Sequence, residues 1–360
     1  MGLTALQQHG EGLGAAFAAY NTGEYRGATA SARFGDPDAE FGRMRDQCGI
    51  YDLGYRAKIS LTGADRIRWL NGMVTNNIRD LVVGHGVYAF LLNPQGHILG
   101  DLYAYNRGES ITVDTESSQL ERVLTTFDHY IIMDDVEVKN LGDELTALGI
   151  AGPNSRNVLA AAGIQIPELQ PLQVGEAKCT CACDCVTCTV VRGDNPTTES
   201  YELWLAPAEV RKTWDALVAS GASPVGFEAL ELQRIVSGIP LYGVDIRDRD
   251  LPQETEQTRA LNFNKGCYIG QEIVERIRSR GAVHRKFSGF SMETNTGVVA
   301  GSKVSMADKE VGEITSIASL GVGQPACALG YIRREISIPG KDVQIGSTKA
   351  EVRELPFRKM

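Results

Sequence analysis

The segment KGCYIGQE, Lys265 to Glu272, sets a thiol, Cys267, between two glycines and just ahead of EIVERIRSRG, where Ile273 and Ile277 fall one helical turn apart. Gly266 and Gly270 let a backbone turn tightly and approach a ligand, and Gln271 and Glu272 lead into the helix. Lys265, Arg276, Arg278, Arg280, Arg285 and Lys286 surround the thiol in sequence, opposed by Glu272 and Glu275. Positive surroundings and a helix N-terminus both favour the thiolate, which is the nucleophilic form. The competing reading is an inert cysteine buried in a turn. The adjoining RSRGAVHRK fits a solvated basic face and a phosphate-binding surface equally well.

A second thiol-rich stretch, CTCACDCVTC, spans residues 179–188. Its Cys185-x-x-Cys188 pair has metal-ligand spacing. Along an extended strand, thiols on one face recur every ~6.6 Å, whereas sulfurs around tetrahedral zinc lie about 3.8 Å apart. The segment therefore chelates only if it bends into a loop; otherwise it is a cysteine-rich strand or surface loop without a ligand.

These residues need elements to hold them. Asp38–Cys48 has a helical pattern that ends at Gly49, and residues 1–30, rich in Ala and Gly, read as weakly ordered and then helical. Ala57–Leu61 alternates as a strand and Ala64–Leu70 has helical spacing. Gly86–Leu92 and Ile98–Tyr105 read as strands joined by the turn NPQG. Ser117–Tyr130 reads as helix, and Val136–Asn140 and Leu145–Ile150 as strands. A second unit begins near Gly152, with a helix at Ser155–Ala162, strands at Cys185–Val191 and Tyr201–Ala206, and helices at Ala208–Ser220 and Phe227–Ser237. From about Lys286, short β-rich runs split by Gly and Pro suggest a small antiparallel barrel.

The chain has 360 residues, enough for two or three domains. Its 43% hydrophobic content supports substantial cores, and no apolar run approaches the ~20 residues of a membrane span. A net charge of −9 argues against nucleic acid as a partner of the whole surface, although a local basic patch is compatible with it. The start, MGLTALQQHGEG, lacks the basic region of a secretory signal, which points to the cytoplasm and to reduced thiols.

KGCYIGQE resembles the signature of the YgfZ family, a branch of the glycine-cleavage T-protein (aminomethyltransferase) superfamily. The resemblance runs from about Ala32 to the LPF at 355–357. It rests also on LTGADRIRWLNGMVTNNIRDL, NPQGHILGDLYAY, GFEALELQRIVSGIPLYGVDI, VGEITSIAS and ELPF. It implies an α+β fold: a T-protein-like multi-domain core around a central folate channel, with a C-terminal antiparallel β-barrel. The implied divisions are 32–150, 151–285 and 286–360.

The resemblance further implies that the ligand is tetrahydrofolate or a derivative. Asp101 matches the superfamily's catalytic aspartate, with Gly100 where a second Asp is frequent. Tyr88, Tyr105 and Tyr242 match aromatic channel positions. Glu202 matches the glutamate that grips the pterin, Arg234 an arginine near the folate, and Arg192 the arginine that precedes the glutamate's strand. NPTTESYE departs from the family form, with Asn195 in place of an aromatic. The chemistry fits: one carboxylate can accept two hydrogen bonds from a pterin's amide-like edge, and tyrosines can cover its faces. Singly, Asp101 fits a turn cap, the tyrosines fit core positions, and Glu202 and Arg234 fit surface positions.

Two functions follow as expectations. One is a YgfZ-type, reduced-folate-binding protein that supports iron–sulfur cluster assembly or repair, with iron–sulfur enzymes (tRNA-modifying ones included) or assembly factors as partners. The other is an aminomethyltransferase passing a one-carbon unit from an aminomethyl donor to tetrahydrofolate. Cys267 favours the first and Asp101 the second.

Overall fold

The computed structural model describes residues 2–8, 21–179, 186–294, 296–319 and 325–357. They form two compact units: Met1–Asn71 with Asn77–Ala89 and Leu102–Leu230, and Gly72–Asn76 with Phe90–Asp101 and Glu231–Met360. The fold is mixed α+β.

The first unit contains a seven-stranded sheet in the order Ile164–Gln165, Val174–Cys179, Val186–Arg192, Ser200–Leu205, Thr146–Ala151, Gly49–Asp52 and Ser223–Pro224. Its pairs are antiparallel except the last, which is parallel. Strand alternation sends Tyr201, Leu203 and Leu205 to one face, where Val158 and Leu159 of the helix Ser155–Ala161 and Trp214 and Leu217 of the helix Val210–Ala219 complete a core. Trp204 faces the other way, into a second core with Tyr25, Leu53, Tyr55, Tyr105 and Val191.

A five-stranded sheet runs in the order Gly86–Leu92, Ile98–Asn106, Ile111–Glu116, Arg56–Thr62 and Glu137–Asn140. The first two strands form the expected NPQG hairpin. Residues 22–31 depart from the helical expectation: Thr22–Tyr25 pairs antiparallel with Ala28–Ser31. Arg26 and Gly27, at φ 51° and 92°, make the two-residue turn that favours a hairpin here. Nearer the start, Gly2–Leu3 is a strand and Ala5–Gln8 a short helix, and residues 9–20 lie outside the described residues.

In the second unit six antiparallel strands close a barrel, in the order Arg285–Met292, Ala326–Arg333, Lys309–Ser319, Lys303–Met306, Asp342–Ile345 and Thr348–Arg353. Closure pairs Gly289 with Arg353. Phe290, Val304, Ile314, Ile332 and Val352 are among the residues filling its core. A second cluster joins Phe287, Leu329 and Tyr331 to Ile235 of the helix Phe227–Val236 and to Phe357. Among the described residues no helix is long and apolar enough to cross a membrane.

Asp52 of the first unit is buried; it accepts from the Thr4 hydroxyl and, at 2.8 Å, from the Gly54 N–H. Burial pushes its carboxyl up to about 6, against the opposing pull of those two hydrogen bonds. The folded chain thus holds this proton more tightly than the unfolded chain. The associated stability is full below about pH 4 and is lost as pH rises through about 6. Asp52→Asn is therefore expected to stabilise the protein by up to about 3 kcal/mol at pH 7.5 and hardly at all near pH 4. Urea unfolding at the two pH values checks this; an equal difference at both would refute it.

Candidate functional site

In the first unit, the sequence-derived residue Glu202 sits mid-strand and half-buried, on the face shared with Trp204. The Trp204 indole N–H donates to Glu202 Oε2 at 2.9 Å, which fixes one oxygen and leaves Oε1. Glu202 is in register with Gly149, and Gly149 with Tyr51 on the next strand. A Cβ on Gly149 would lie 2.0 Å from the Tyr51 ring, so only glycine lets that ring lie across the sheet in the row that holds Glu202. Burial, then the charges of neighbours including Glu202, push the Tyr51 hydroxyl well above its ordinary value.

The other wall of this cluster comes from the strand Ile98–Asn106. Tyr105 is buried, with its ring edge-on to Trp204 at 5.3 Å between centroids. Tyr103 stacks near Tyr105 at 6.3 Å, and Tyr88 packs against Tyr103 at 5.0 Å. Tyr103 also donates to Asp194 Oδ1 at 3.2 Å. Beyond the tyrosines, Arg56 and Lys58 meet Asp114 in the neighbouring strand pair.

Arg192 goes elsewhere. It is in register with Tyr201, so it lies on the face opposite Glu202. There its guanidinium sits 5.0 Å from the Tyr201 ring and 3.4 Å from Glu199. Asn195, in the altered segment, organises a turn by accepting from the N–H groups of Thr197 and Thr198 at 2.9 and 3.2 Å.

The second unit holds Asp101, Arg234, Tyr242 and the KGCYIGQE loop. Asp101 is half-buried on its strand. Two residues back, the Leu99 carbonyl lies 2.6 Å from the Tyr242 hydroxyl, and Asp248 Oδ1 lies equally close to that hydroxyl. Arg234 is buried and fully engaged. It donates to Glu231 at 2.8 Å, to the Ile239 carbonyl at 2.8 Å, to Asp245 at 2.6 Å and to Ser316 at 2.9 Å. Its role is to fix the turn that carries Tyr242 to the barrel.

The KGCYIGQE loop is a clasp. Lys265 donates to the carbonyls of Val74 and Asn76, and its ammonium lies 4.8 Å from the Tyr268 ring. The Ile269 N–H donates to the Gly72 carbonyl at 3.1 Å. Gly270, at φ 79°, caps the helix Gln271–Arg280; a Cβ there would meet the Asn93 carbonyl at 2.6 Å. A Cβ on Gly96, in the NPQG turn, would meet Ile273 at 2.7 Å. Gln271 accepts from the Tyr268 N–H at 3.3 Å. Gly266 and Glu272 are exposed, and so is Cys267.

Three of the six cations expected around Cys267 pair with carboxylates. Arg285 pairs with Asp250 and Glu254, Lys286 with Glu256, and Arg278 with Glu275. Among the described thiols the contrast is in exposure: Cys48, Cys188 and Cys327 are buried, and burial pushes Cys48 up to about 11 and Cys327 up to about 12. Of the suggested metal pair, Cys188 lies in the core beside Ala177 and Val190, and Cys185 lies outside the described residues. Among the described residues no group of three or more His, Cys, Asp or Glu side chains could hold a metal ion.

Sequence reasoning missed Tyr51, Arg56, Lys58, Tyr103, Asp114 and Trp204. Tyr103 carried a signal, since it sits two residues from both Asp101 and Tyr105 on the predicted strand.

Residues 5–265 match the family described as GCVT N-terminal domain. The chain is 25% identical over 342 residues to an aminomethyltransferase of Rubrobacter xylanophilus, covering 93% of this chain and 89% of that one. It is 25% identical over 348 residues to an aminomethyltransferase of Halothermothrix orenii, covering 93% and 95%. Its fold matches the crystal structure of glycine cleavage system aminomethyltransferase T from Bartonella henselae with a TM-score of 0.88, at 21% identity, over 99% of this chain and 98% of that one.

The clasp yields a prediction. Gly270→Ala adds a Cβ against the Asn93 carbonyl at a positive φ, and is expected to cost about 2 kcal/mol or more. The urea midpoint should fall, and cleavage of the 263–270 loop by a protease should quicken. An unchanged midpoint would mean that the glycine contact holds nothing together.

Proposed function

The chain belongs to the GCVT N-terminal domain family, and on that footing we propose that it is a YgfZ-type protein that binds tetrahydrofolate or a derivative and supports iron–sulfur cluster assembly or repair. The enzymes it would serve are iron–sulfur enzymes, tRNA-modifying ones included. The observation that carries the folate reading is Glu202. Its carboxylate has one oxygen held by the Trp204 N–H and stands among Tyr51, Tyr105 and Trp204. A carboxylate fixed on one side and bordered by aromatic rings suits a flat heterocycle that presents N–H donors along one edge.

In this reading Glu202 anchors the pterin and Tyr88, Tyr103 and Tyr105 form the aromatic wall. In the second unit Arg234 positions the turn of Tyr242. Cys267 supplies an exposed thiol for transient contact with a cluster in transit. The YgfZ branch is favoured because the clasp immobilises the backbone around Cys267 while the thiol itself is exposed.

A second reading, aminomethyl transfer to tetrahydrofolate, is favoured by the retained Asp101 and by the relatives named aminomethyltransferase. Complementation separates the two. The chain should rescue a host lacking its YgfZ-type protein, and not one lacking its T-protein. Cys267→Ser should abolish the rescue and leave folate binding intact by calorimetry, while Asp101→Asn should barely affect it. Glu202→Gln should weaken binding of 5-formyltetrahydrofolate at least about tenfold, as expected for a lost charge-assisted bond. Rescue of the T-protein host alone, abolished by Asp101→Asn, would establish the second reading instead.

A further inference from the structure

Beside Glu202 the first unit holds a charge group that the folate reading leaves unused. Lys58 and Asp114 stand opposite each other on neighbouring strands, and neither side chain has any exposure. Lys58 Nζ lies 3.1 Å from Asp114 Oδ1, and Arg56 Nε donates to that same oxygen at 3.0 Å. Asp114 Oδ2 accepts no hydrogen bond, and Lys58 Nζ faces its partner without hydrogen-bond geometry. A buried charge kept with so little hydrogen bonding is expensive and calls for a reason.

The reason lies in what the two cations face. Lys58 Nζ is 5.0 Å from the Trp204 ring centroid, and Trp204 is the residue that holds Glu202 Oε2. The Arg56 guanidinium is 5.5 Å from the Tyr103 ring centroid. Burial alone would weaken the Arg56 proton, but Asp114 and then Glu202 outweigh it and raise the group well above its ordinary value.

We propose that Lys58, with Arg56 and Asp114, is the positioning group for Glu202: it braces Trp204 from behind and balances the Glu202 charge, so that the site accepts a ligand edge made of N–H donors. This rests on the reading that Glu202 anchors a pterin. Tyr51, Arg56 and Tyr105 feel the Glu202 charge directly; Tyr55, Cys48, Tyr103, Asp114 and Glu116 neighbour those groups, and Lys58 reaches Glu202 through Trp204. Glu116 is matched by Arg26 at 2.8 Å. Burial keeps Tyr51 and Tyr105 uncharged. The balance at neutral pH is therefore two cations against Asp114 and Glu202. Without Lys58 one cation faces two carboxylates, and the carboxylate pair loses half of its opposing charge. A protonated carboxyl offers a donor where the ligand needs an acceptor.

The test is calorimetric affinity of the full-length chain for 5-formyltetrahydrofolate from pH 4.5 to 8. Lys58→Met should move the acid loss of binding about one pH unit toward neutral, and Asp114→Asn should move it the other way. Arg56→Gln, at the partly exposed edge of the group, should act like Lys58→Met and carries the same test if the buried variants do not fold. Opposed shifts support the proposal, because a packing defect cannot produce them. Equal weakening at every pH in all folded variants overturns it and leaves the folate reading standing. No binding by the unaltered protein at any pH overturns the folate reading, and the proposal falls with it.

Discussion

A lysine with no exposed surface has to be answered by a carboxylate, and the pairing of Lys58 with Asp114 is the constraint on which the first unit's wall depends. The pair fixes the register of two strands, because a one-residue slip of either would put its charge on the face opposite its partner. The same row continues to Tyr103, which is in register with Asp114. On the facing sheet the ammonium meets Trp204, and Trp204 meets Glu202. Breaking such a pair by removing one partner typically costs about 3–5 kcal/mol, because the other charge stays buried. Placing it here spends stability on the exact neighbourhood of one carboxylate rather than on the fold at large.

The second unit repeats the device with different parts. Arg234 and Asp245 are both buried, and Asp245 is further held by Thr315, Ser316 and the Leu241 N–H. Here both charged groups of the pair are hydrogen-bonded on several sides, so the ion pair serves as a rivet between a turn and a barrel strand. The difference in hydrogen bonding separates a purely architectural charge pair from the Lys58 group, where an orphaned oxygen marks a less settled balance.

The sequence was most readable where local chemistry decides structure. The NPQG hairpin was legible because Asn93 holds its own turn, accepting from the N–H groups of Gln95 and His97. The barrel was legible from short β-rich runs cut by Gly and Pro. The strand Ile111–Glu116 was not, because all six of its residues are buried and four of them are polar, so no alternation marks a face. The site divided in the same way. Glu202 and Cys267 stood out through motif resemblance. Tyr51 did not, since its position is granted by Gly149 on another strand, and Lys58 did not, since a lone lysine in a β-run reads as an exposed residue until its partner is known. Arg192 and Glu202 were grouped by resemblance, yet register separates them onto opposite faces.

The KGCYIGQE segment shows how a motif can be mostly scaffolding around one chemical position. Lys265 ties down a neighbouring segment through two carbonyls, Gly270 admits the Asn93 carbonyl, Tyr268 is buried, and Gln271 holds the Tyr268 N–H. Each of these residues has a structural reason for its type that would stand if Cys267 were serine. Cys267 itself is exposed. Of the neighbouring cations, Arg285, Lys286 and Arg278 pair with Glu254, Glu256 and Glu275. What distinguishes it is a held backbone and open access. Such a thiol is suited to meeting a large partner at a fixed place, whereas a small substrate would require a closed pocket around the sulfur.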